Sequence, residues 1–340
     1  MSIQVEEKLY RYNGVQTDYG LRGSMVKNLK KHELAARAAW MYYIGGLTQH
    51  QIAEVLGVSR QVAQRLVAAA TGLELVHVNI HHEVAECSLL ASQLAQRFGL
   101  RRCQVVPSAG LPAEAINRMI AVTAAEEMAL FINKEEAQII ALGSGRTLSQ
   151  AVKEMAEISR PQHSCLSLIG AIASDGSCTH YDVPLSMAEK TSSKYFILPA
   201  PLFADSPQDR EVWCNHRIYK LLYNKARLAD VSFCGIGQVA PQCPLHTDGF
   251  ITSADVERLV SAGAVAEIIG HFIDQDGAPV SDRLDGRRTS LPVTPAPDRQ
   301  FTAFVGGPEK FQAVQAVLRG KWINGLVTDE ETAQRLLLNP

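Results

Sequence analysis

The stretch Thr48–Val67 reads TQHQIAEVLGVSRQVAQRLV, which has the order of a helix, a tight turn and a second helix. Thr48 is a candidate N-cap for the first helix. The apolar residues that follow at helical spacing are Ile52, Val55 and Leu56. Gly57 can turn the chain at low steric cost, and Ser59 then begins the second helix. The pattern predicts a helix-turn-helix; an ordinary pair of surface helices joined by a glycine turn is the alternative.

The predicted second helix has one apolar and one polar side. Val62, Ala63 and Leu66 are expected to face the first helix. The polar side carries arginine, which bonds guanine bidentately or holds a phosphate, and glutamine, which reads adenine. The residues from which we expect contacts to double-stranded DNA are Thr48, Gln49, Ser59, Arg60, Gln61, Gln64 and Arg65.

The preceding sequence supports this interpretation. Leu34–Ile44, LAARAAWMYYI, predicts a third apolar helix, with Trp40 and Tyr43 as the large members of a three-helix core. Residues 22–72 hold seven Lys or Arg against two Glu, whereas the whole chain has a net charge of −2. A local surplus of positive charge suits a surface that contacts phosphates. We therefore predict a DNA-binding domain over residues 32–82.

Length and composition bound the class of protein. With 340 residues the chain is long for one domain, so we expect one small and one large domain. No apolar run reaches the roughly 20 residues that span a bilayer, and the first residues lack the order of a signal peptide, so we expect a cytoplasmic protein without membrane contact. The seven cysteines are scattered and form no CxxC pair, which argues against a disulfide framework and a zinc site. No metal or cofactor is predicted.

Three segments adjoin the predicted DNA-binding helices. Residues 1–31 are polar and without periodicity, so we expect a flexible extension, within which Met25 is an alternative start. Leu75–Ile80 alternates apolar and polar residues and predicts a short strand, either a wing of the DNA-binding domain or the bridge to the next domain. Residues 83–99 predict a linker or oligomerisation helix, with an apolar seam at Val84, Cys87, Ala91, Leu94 and Phe98. Two heptads fit packing on the helix's own domain and pairing of two chains equally well.

From about residue 100 apolar strand-like runs alternate with helical segments. The predicted strands are Cys103–Val106, Gln138–Leu142, Cys165–Ile172, Tyr195–Leu198, Val231–Ile236, Ala303–Val305 and Gly325–Val327. The predicted helices are Ala113–Ile132, Leu148–Ile158, Ile218–Ala229, Ser253–Ala262, Glu309–Arg319 and Glu330–Leu338. This order predicts a Rossmann-like α/β domain over residues 100–340, with a mainly parallel sheet and helices on both faces. Such sheets bind ligands at the carboxyl ends of their strands.

The segment Gly143-Ser144-Gly145-Arg146-Thr147 follows one of these strands and opens a helix. Its glycines allow close approach of the backbone to a ligand, and the N–H groups of a helix start attract an anion. Arg146, Thr147 and Ser144 add donors for phosphate oxygens. The motif is neither a Walker A sequence nor a full GxGxxG, and a plain strand-to-helix turn is the alternative.

Two further places hold candidate ligand-binding residues. Gly306-Gly307-Pro308-Glu309-Lys310 also follows a strand, and Lys310, one turn into the predicted helix, can reach a phosphate at the same edge of the sheet. A solvated surface lysine is the alternative. In the apolar segment Ser261–Glu267, the Glu267 carboxylate can accept hydrogen bonds from sugar hydroxyls, with an exposed helical glutamate as the alternative.

Taken together, these motifs resemble one family across nearly the whole chain from about residue 35. After the helix-turn-helix come GSGRT, PAPLFADSPQDRE, GIG, DGFIT with AGAVAEIIGHFID, VGGPEK and INGLVTDEETA. This series is similar to the SorC family of sugar-responsive bacterial transcriptional regulators. The resemblance implies an effector domain related in fold to ribose-5-phosphate isomerase and glucosamine-6-phosphate deaminase, a phosphorylated sugar as effector, and a dimer or tetramer.

By this resemblance GSGRT corresponds to the phosphate-contacting loop, Glu267 to the acidic residue that holds sugar hydroxyls, and Lys310 to the phosphate-side lysine. Many relatives have Gly-Asp-Ile where this chain has Ala-Glu-Ile at residues 266–268. Arg287 and Arg288 lie in a region that fits the family pattern poorly, and they could face the ligand or solvent.

The sequence thus predicts a DNA-binding regulator of sugar or polyol metabolism whose operator binding is controlled by a sugar phosphate or related sugar. A sugar-phosphate isomerase or deaminase with an appended helical domain is the alternative. Catalysis of proton transfer needs a positioned base, and only one candidate carboxylate accompanies the loops, so no catalytic residue is predicted. An architectural DNA-binding protein would leave the two glycine loops without a role.

Overall fold

The computed structural model describes residues 32–73, 75–76, 85–173, 176–177 and 182–339. The chain forms two compact units, residues 1–81 and residues 82–340. The predicted extension 1–31, residues 77–80 of the predicted strand, and Val84 of the predicted seam lie outside the described residues. Leu75 and Val76, the described part of that strand, do not pair with another strand. Within the described residues no helix is long and apolar enough to cross a membrane.

The first unit is helical. Helix α1 covers residues 32–39 and continues into a π-helical turn, Trp40–Ile44. Helices α2, Gln49–Leu56, and α3, Arg60–Gly72, follow. The single helix predicted over residues 34–44 therefore changes its winding at Trp40. A π-helical turn holds more residues than an α-helical one, so it rotates the following side chains away from the α-helical face.

Small side chains dominate the core of this unit, which consists of Ala35, Ala38, Ala39, Ile52, Ala53, Ala63, Leu66, Val67 and Ala70. The prediction that Trp40 and Tyr43 form its large members is wrong, because these side chains are 69% and 40% exposed. Val55 and Val62 are also exposed, so neither belongs to this core. The alanines allow the helices to approach closely, which leaves no space between them for an aromatic ring.

The second unit begins with α4, Ala85–Phe98. Its further elements in chain order are β1 Arg102–Val106, α5 Ala113–Ile132, β2 Ile139–Leu142, α6 Arg146–Glu154, β3 Ser164–Ile172, α7 Val183–Thr191, β4 Lys194–Pro201, α8 Pro207–Asn215, α9 Arg217–Arg227, β5 Val231–Cys234, β6 Gly237–Gln238, α10 Pro244–Thr247, α11 Ser253–Ser261, β7 Ala264–Ile268, β8 His271–Asp274, β9 Gln300–Phe304, α12 Phe311–Arg319, β10 Gly325–Asp329 and α13 Glu330–Leu338.

Seven of these strands form one parallel sheet in the order β1-β10-β9-β5-β2-β3-β4. All seven predicted strands are in it, so the predicted fold class is confirmed. Side chains alternate between two buried faces: Ile140 and Leu142 pack with α5, α6 and α7, whereas Ala141 packs with α4, α9, α12 and α13. Burial on both faces explains why the strands are continuous apolar runs.

The path of the chain places three loops at one edge of this sheet. From β2 the chain runs outward through β3 and β4, then returns to β5 on the other side of β2. The loops after β2, β5 and β9 therefore emerge side by side, because these strands are adjacent and parallel. In open α/β sheets, ligands bind where the strand order reverses in this way.

A second, antiparallel sheet of β6, β7 and β8 was not predicted. It pairs Gly237 with Glu267 and Glu267 with Phe272. Glu267 is therefore on a strand and partly buried, and the alternative of an exposed helical glutamate is wrong. The segment AVAEI shows no polar alternation, so periodicity alone does not separate a strand from a helix there.

Helix α4 packs on the α/β unit. Cys87, Leu90 and Leu94 are buried, and α4 contacts β1 and α13. The sequence leaves two roles open for the seam, packing on its own domain and pairing of two chains. Its described residues pack on their own domain. Leu94 is 0% exposed in the single chain and so is not accessible to a second copy.

Candidate DNA-binding and effector-binding sites

Local hydrogen bonds fix the turn between α2 and α3. The Thr48 hydroxyl accepts a hydrogen bond from the backbone N–H of Gln51, and the Gln51 side chain accepts one from the backbone N–H of Thr48, which completes a capping box. Gly57 ends α2 with a φ of 64°, a left-handed conformation that glycine adopts without strain. Ser59 caps α3 by accepting from the N–H of Val62. The predicted capping and turn roles of these residues are confirmed.

One surface of α3 carries the predicted DNA-contacting side chains. We call Arg60, Gln61, Gln64 and Arg65 the recognition face; all four are exposed, and Ala63, Leu66 and Val67 on the opposite side are buried. Thr48 is exposed and Gln49 is partly buried at the start of α2. Because the core residues lie on the other side of the helix, the recognition face can change without altering the packing of the unit.

The GSGRT loop, Gly143–Thr147, follows β2 and opens α6, as predicted. The Gly143 N–H donates to the carbonyl of Phe233 over 2.8 Å, which ties the loop to β5. Gly145 has a φ of 130° and precedes the first turn of α6, and Arg146 is exposed there. The N–H groups of that turn lack partners within the helix, and they point to the edge where the strand order reverses.

The GGPEK loop, Gly306–Lys310, follows β9 and is held by a carboxylate from β10. The Gly307 N–H donates to Asp329 over 2.9 Å, and Asp329 also caps α13. A Cβ on Gly306 would lie 2.7 Å from the same carboxylate, so no side chain fits there. Lys310 lies in a 3₁₀ turn, Pro308–Lys310, immediately before α12, which corrects its predicted position one turn inside the helix.

Glu267 is folded against its own hairpin. One carboxylate oxygen accepts a hydrogen bond from the N–H of Gly270 over 2.5 Å, and the other lies beside Gly237, where a Cβ would be only 2.7 Å away. Burial raises the pKa of Glu267 to about 7, although the Gly270 N–H and the Lys310 ammonium both act to lower it. The carboxyl group therefore exists in both protonation states near neutral pH.

Charge interactions connect the three predicted effector-binding elements. Burial lowers the pKa of Lys310, and so does the positive charge of Arg146, whereas Glu309 and Glu267 raise it. The Lys310 ammonium is thus close enough to Arg146 and to Glu267 for both charges to act on its pKa. The structure brings together two cationic side chains, a helix N-terminus and the carboxylates of Glu267 and Glu309 at one edge of the sheet. This arrangement is chemically suited to an anion that carries hydroxyl groups.

Three contributors to this region were not predicted as site residues: Asp329, Gly237 and the turn residue Ile269. Asp329 and Gly237 lie in quoted motifs, INGLVTDEETA and GIG, but their roles depend on contacts with the GGPEK loop and β7 that sequence spacing does not contain. Arg287 and Arg288, which the sequence allows to face either the ligand or solvent, differ in their contacts. The Arg287 Nε donates to the carbonyl of Ala204, whereas the stem of Arg288 packs on Gly270.

A cavity of about 690 Å³ opens at the opposite, amino edge of the sheet. Its lining includes Arg97, Arg101 and Arg319. Each of these donates to a backbone carbonyl, of Leu337, Asp298 and Gln275 respectively. These arginines join the ends of neighbouring elements, and none of the predicted site residues lines the cavity.

Comparison with known proteins identifies the family. Residues 82–338 match the family of sugar-binding domains named Sugar-bind. The chain is 34% identical over 310 residues to the erythritol catabolism regulatory protein EryD of Brucella abortus (strain 2308), covering 90% of this chain and 97% of that protein. It is 31% identical to the transcriptional regulator LsrR of Klebsiella pneumoniae subsp. pneumoniae, covering 91% of this chain and 94% of the relative.

Among solved structures, the full-length sorbitol operon regulator SorC from Klebsiella pneumoniae matches with a TM-score of 0.68 at 25% identity. The match covers 90% of this chain and 98% of that one, so it includes both units. These relatives are transcriptional regulators, which favours the regulator over the enzyme alternative. The chain belongs to the SorC family of sugar-binding, DNA-binding transcriptional regulators.

Proposed function

We propose that the regulator binds a phosphorylated sugar or polyol between the GSGRT loop and Lys310, with the effector's hydroxyl groups on Glu267. The observation that carries this proposal is that Lys310 lies near enough to Arg146 and Glu267 for both charges to act on its pKa, at the edge where the strand order reverses. Backbone N–H groups at the start of α6 add donors that favour an anion. A carboxylate suits hydroxyl groups and repels phosphate, so it orients the effector.

The names of two relatives contain polyols, erythritol and sorbitol. We use these names to choose the effectors to be tested first. We propose phosphates of short polyols and their sugars as the first candidates. The decisive experiment is calorimetry with matched pairs of free and phosphorylated polyols of four to six carbons. Lys310→Ala should weaken binding of the phosphorylated member by about tenfold to a hundredfold, because hydrogen bonds to charged groups contribute roughly 1.5–3 kcal/mol.

Lys220→Ala is the matched control, because Lys220 is an exposed lysine on α9 and not one of the predicted site residues. It should leave affinity unchanged. Tighter binding of the free polyol, or unchanged phosphate affinity in Lys310→Ala, would refute the phosphate assignment. Either result would leave the assignment to the family intact.

We further propose that the effector is bound without turnover. Glu267 has a pKa suited to a general base, but one of its oxygens is engaged by the Gly270 N–H, and the same group is needed for the hydroxyls. Incubation with the phosphorylated candidates should return them unchanged. Isomerisation or deamination that is abolished in Glu267→Gln would favour the enzyme alternative.

The recognition face of α3 is proposed to contact operator DNA, and the effector to shift the operator-binding equilibrium in the cytoplasm. Such control requires unequal effector affinity for the DNA-binding and the released conformations. One helix-turn-helix covers few base pairs, so we propose at least a dimer on paired half-sites. Sedimentation of the protein free and on its own promoter DNA tests this, and a monomer in both would refute it.

A further inference from the structure

The β7–β8 turn has an unusual residue at its tip. Ile269 and Gly270 connect the two strands, and both have positive φ, 51° and 77°. Glycine adopts this conformation freely, whereas a β-branched side chain strongly disfavours it. Two-residue hairpin turns of this kind normally carry Asn, Asp or Gly at the first position. An isoleucine persists in such a conformation only where its surroundings impose it, and such positions cluster at ligand-binding and switch regions.

The Ile269 side chain lies against the GSGRT loop. Ile269 is 5% exposed and belongs to the core on one face of the parallel sheet. A Cβ built on Gly143 would be 2.9 Å from the Ile269 Cδ1 and 3.5 Å from Cys234. Gly143 itself has no positive φ, so only this close contact disfavours a side chain there. The loop therefore rests directly on Ile269.

The backbone of the same turn holds Glu267. The Gly270 N–H donates to the Glu267 carboxylate, and the Ser290 hydroxyl donates to the Ile269 carbonyl over 2.7 Å. On the outer side of the turn, the stem of Arg288 lies 3.0 Å from where a Gly270 Cβ would be. These three contacts and the Gly143 contact together impose the strained conformation of Ile269.

We propose that Ile269 is a positioning residue that sets the separation between the GSGRT loop and the Glu267 carboxylate, and thereby the chain length of the sugar phosphate that the site accepts. The inference rests on the proposed function, in which the loop holds the phosphate and Glu267 holds the hydroxyls. Ile269 touches the first element with its side chain and fixes the second through its turn. A ligand anchored at both ends must match the distance between them, because misplacement of either anchor weakens binding.

A double-mutant cycle between Gly143 and Ile269 tests the contact. Gly143→Ala should weaken binding of the preferred sugar phosphate at least about fivefold, since its Cβ displaces the loop from Ile269 Cδ1. Ile269→Val removes that Cδ1 and keeps the branched Cβ. In the Ile269→Val background Gly143→Ala should cost much less than in the native chain. Additive effects would show that the two residues do not determine the spacing together.

A length series tests the consequence for specificity. Aldose phosphates of four, five and six carbons are compared in the native protein and in Ile269→Val, which lets the loop move toward the turn. The ratio of affinities should shift by about tenfold toward a different chain length, because one methylene in a fitted pocket changes discrimination by roughly 10–200-fold. Ile251→Val is the control: Ile251 is also 5% exposed but lies in the separate core beside α11. It should leave the ratio unchanged.

Measurements with Lys310→Ala and with inorganic phosphate distinguish a failure of the spacing inference from a failure of the proposed function. If Lys310→Ala weakens all three aldose phosphates but Ile269→Val changes no ratio, the spacing inference is overturned and the proposed function stands. If Lys310→Ala changes the affinity of none of them, or if neither the aldose phosphates nor the corresponding polyol phosphates bind, the proposed function fails and the inference with it. Inorganic phosphate should bind the native protein and Ile269→Val equally, because it contacts one anchor only. Thermal unfolding of each variant verifies that it is folded.

Discussion

The two units present their candidate functional residues in opposite ways. In the helical unit the recognition face is exposed, and the core behind it consists mainly of alanines. In the α/β unit Glu267 and Lys310 are partly buried, their pKa values are shifted, and Glu267 also holds a turn. Function and stability are therefore separable on α3 but coupled at the sheet edge. Substitutions at the two places should differ in whether they change folding, binding or both.

The largest effect should follow from Leu94→Glu. Leu94 is 0% exposed against β1 and α13, so glutamate there buries an unpaired charge or forces α4 away from the sheet. We expect a loss of at least about 3 kcal/mol in the free energy of unfolding, measured with urea. Leu89→Glu is the control on the same helix, because Leu89 is 58% exposed, and it should be nearly neutral. Unfolding of Leu94→Glu at the native midpoint would contradict the packing of α4.

The coupling at the sheet edge should appear in the pH dependence of stability. The pKa of Glu267 is raised from 4.5 to about 7, so the native state favours its neutral form. The contribution of neutral Glu267 to the free energy of unfolding is fully present below pH 4.5 and is lost as the pH rises through about 7. Glu267→Gln keeps an acceptor for Gly270 but has no charge. It should be more stable than the native protein by about 2 kcal/mol at pH 8, with the difference vanishing near pH 4.

Urea unfolding at several pH values between 4 and 8 measures this difference. Glu257→Gln provides the control, because Glu257 is exposed on α11. It should leave the pH dependence of the free energy of unfolding unchanged. Parallel pH profiles for Glu267→Gln and the native protein would show that the carboxylate is not held in a site that disfavours its charge.

How much of the fold and of the candidate sites the sequence predicts depends on whether an element is determined by nearby or by distant residues. The parallel strands were predicted because strands buried on both faces are continuous apolar runs. The two helices Ala113–Ile132 and Glu330–Leu338 have the predicted bounds. The helix-turn-helix was predicted because its caps and turn depend on local hydrogen bonds, such as those of Thr48 and Ser59. Local chemistry and simple periodicity are both visible in a single sequence.

The elements that were missed depend on distant partners. Strand β6 has two residues and forms only through pairing with β7, almost thirty positions later. Glu267 is partly buried because Gly237 and Gly270 surround it, and no spacing within AVAEI indicates this. Trp40 and Tyr43 have the hydrophobicity of core residues, but the alanine-rich helices and the π-helical turn place them outside. Composition identifies candidates for burial, and packing decides among them.

A smaller effect, confined to binding, is expected on the recognition face. Arg60→Ala removes an exposed side chain at the start of α3, so the free energy of unfolding should stay within about 0.5 kcal/mol of the native value. Specific affinity for promoter DNA should fall about tenfold, because one bidentate contact is worth roughly 1–3 kcal/mol. Fluorescence anisotropy with promoter and scrambled DNA at several salt concentrations separates base reading from phosphate contact.

Arg37→Ala controls for the loss of charge, because Arg37 is an exposed arginine on α1 that pairs with Glu33. It should leave the ratio of specific to scrambled affinity unchanged. Equal affinity for promoter DNA in the native protein and in Arg60→Ala/Arg65→Ala would show that α3 is not the reading helix.

The smallest effect should come from Trp40→Ala. Tryptophan in a core typically costs about 3–5 kcal/mol when truncated to alanine. Trp40 is 69% exposed, so its truncation should change the free energy of unfolding of the helical unit by less than about 0.5 kcal/mol. Ile52→Ala is the comparison, since Ile52 is 0% exposed between alanines and should cost about 2–5 kcal/mol. Denaturant unfolding followed by circular dichroism measures both. A larger loss in the free energy of unfolding for Trp40→Ala than for Ile52→Ala would show that Trp40 is a core residue after all. The contrast between the two units would then not hold.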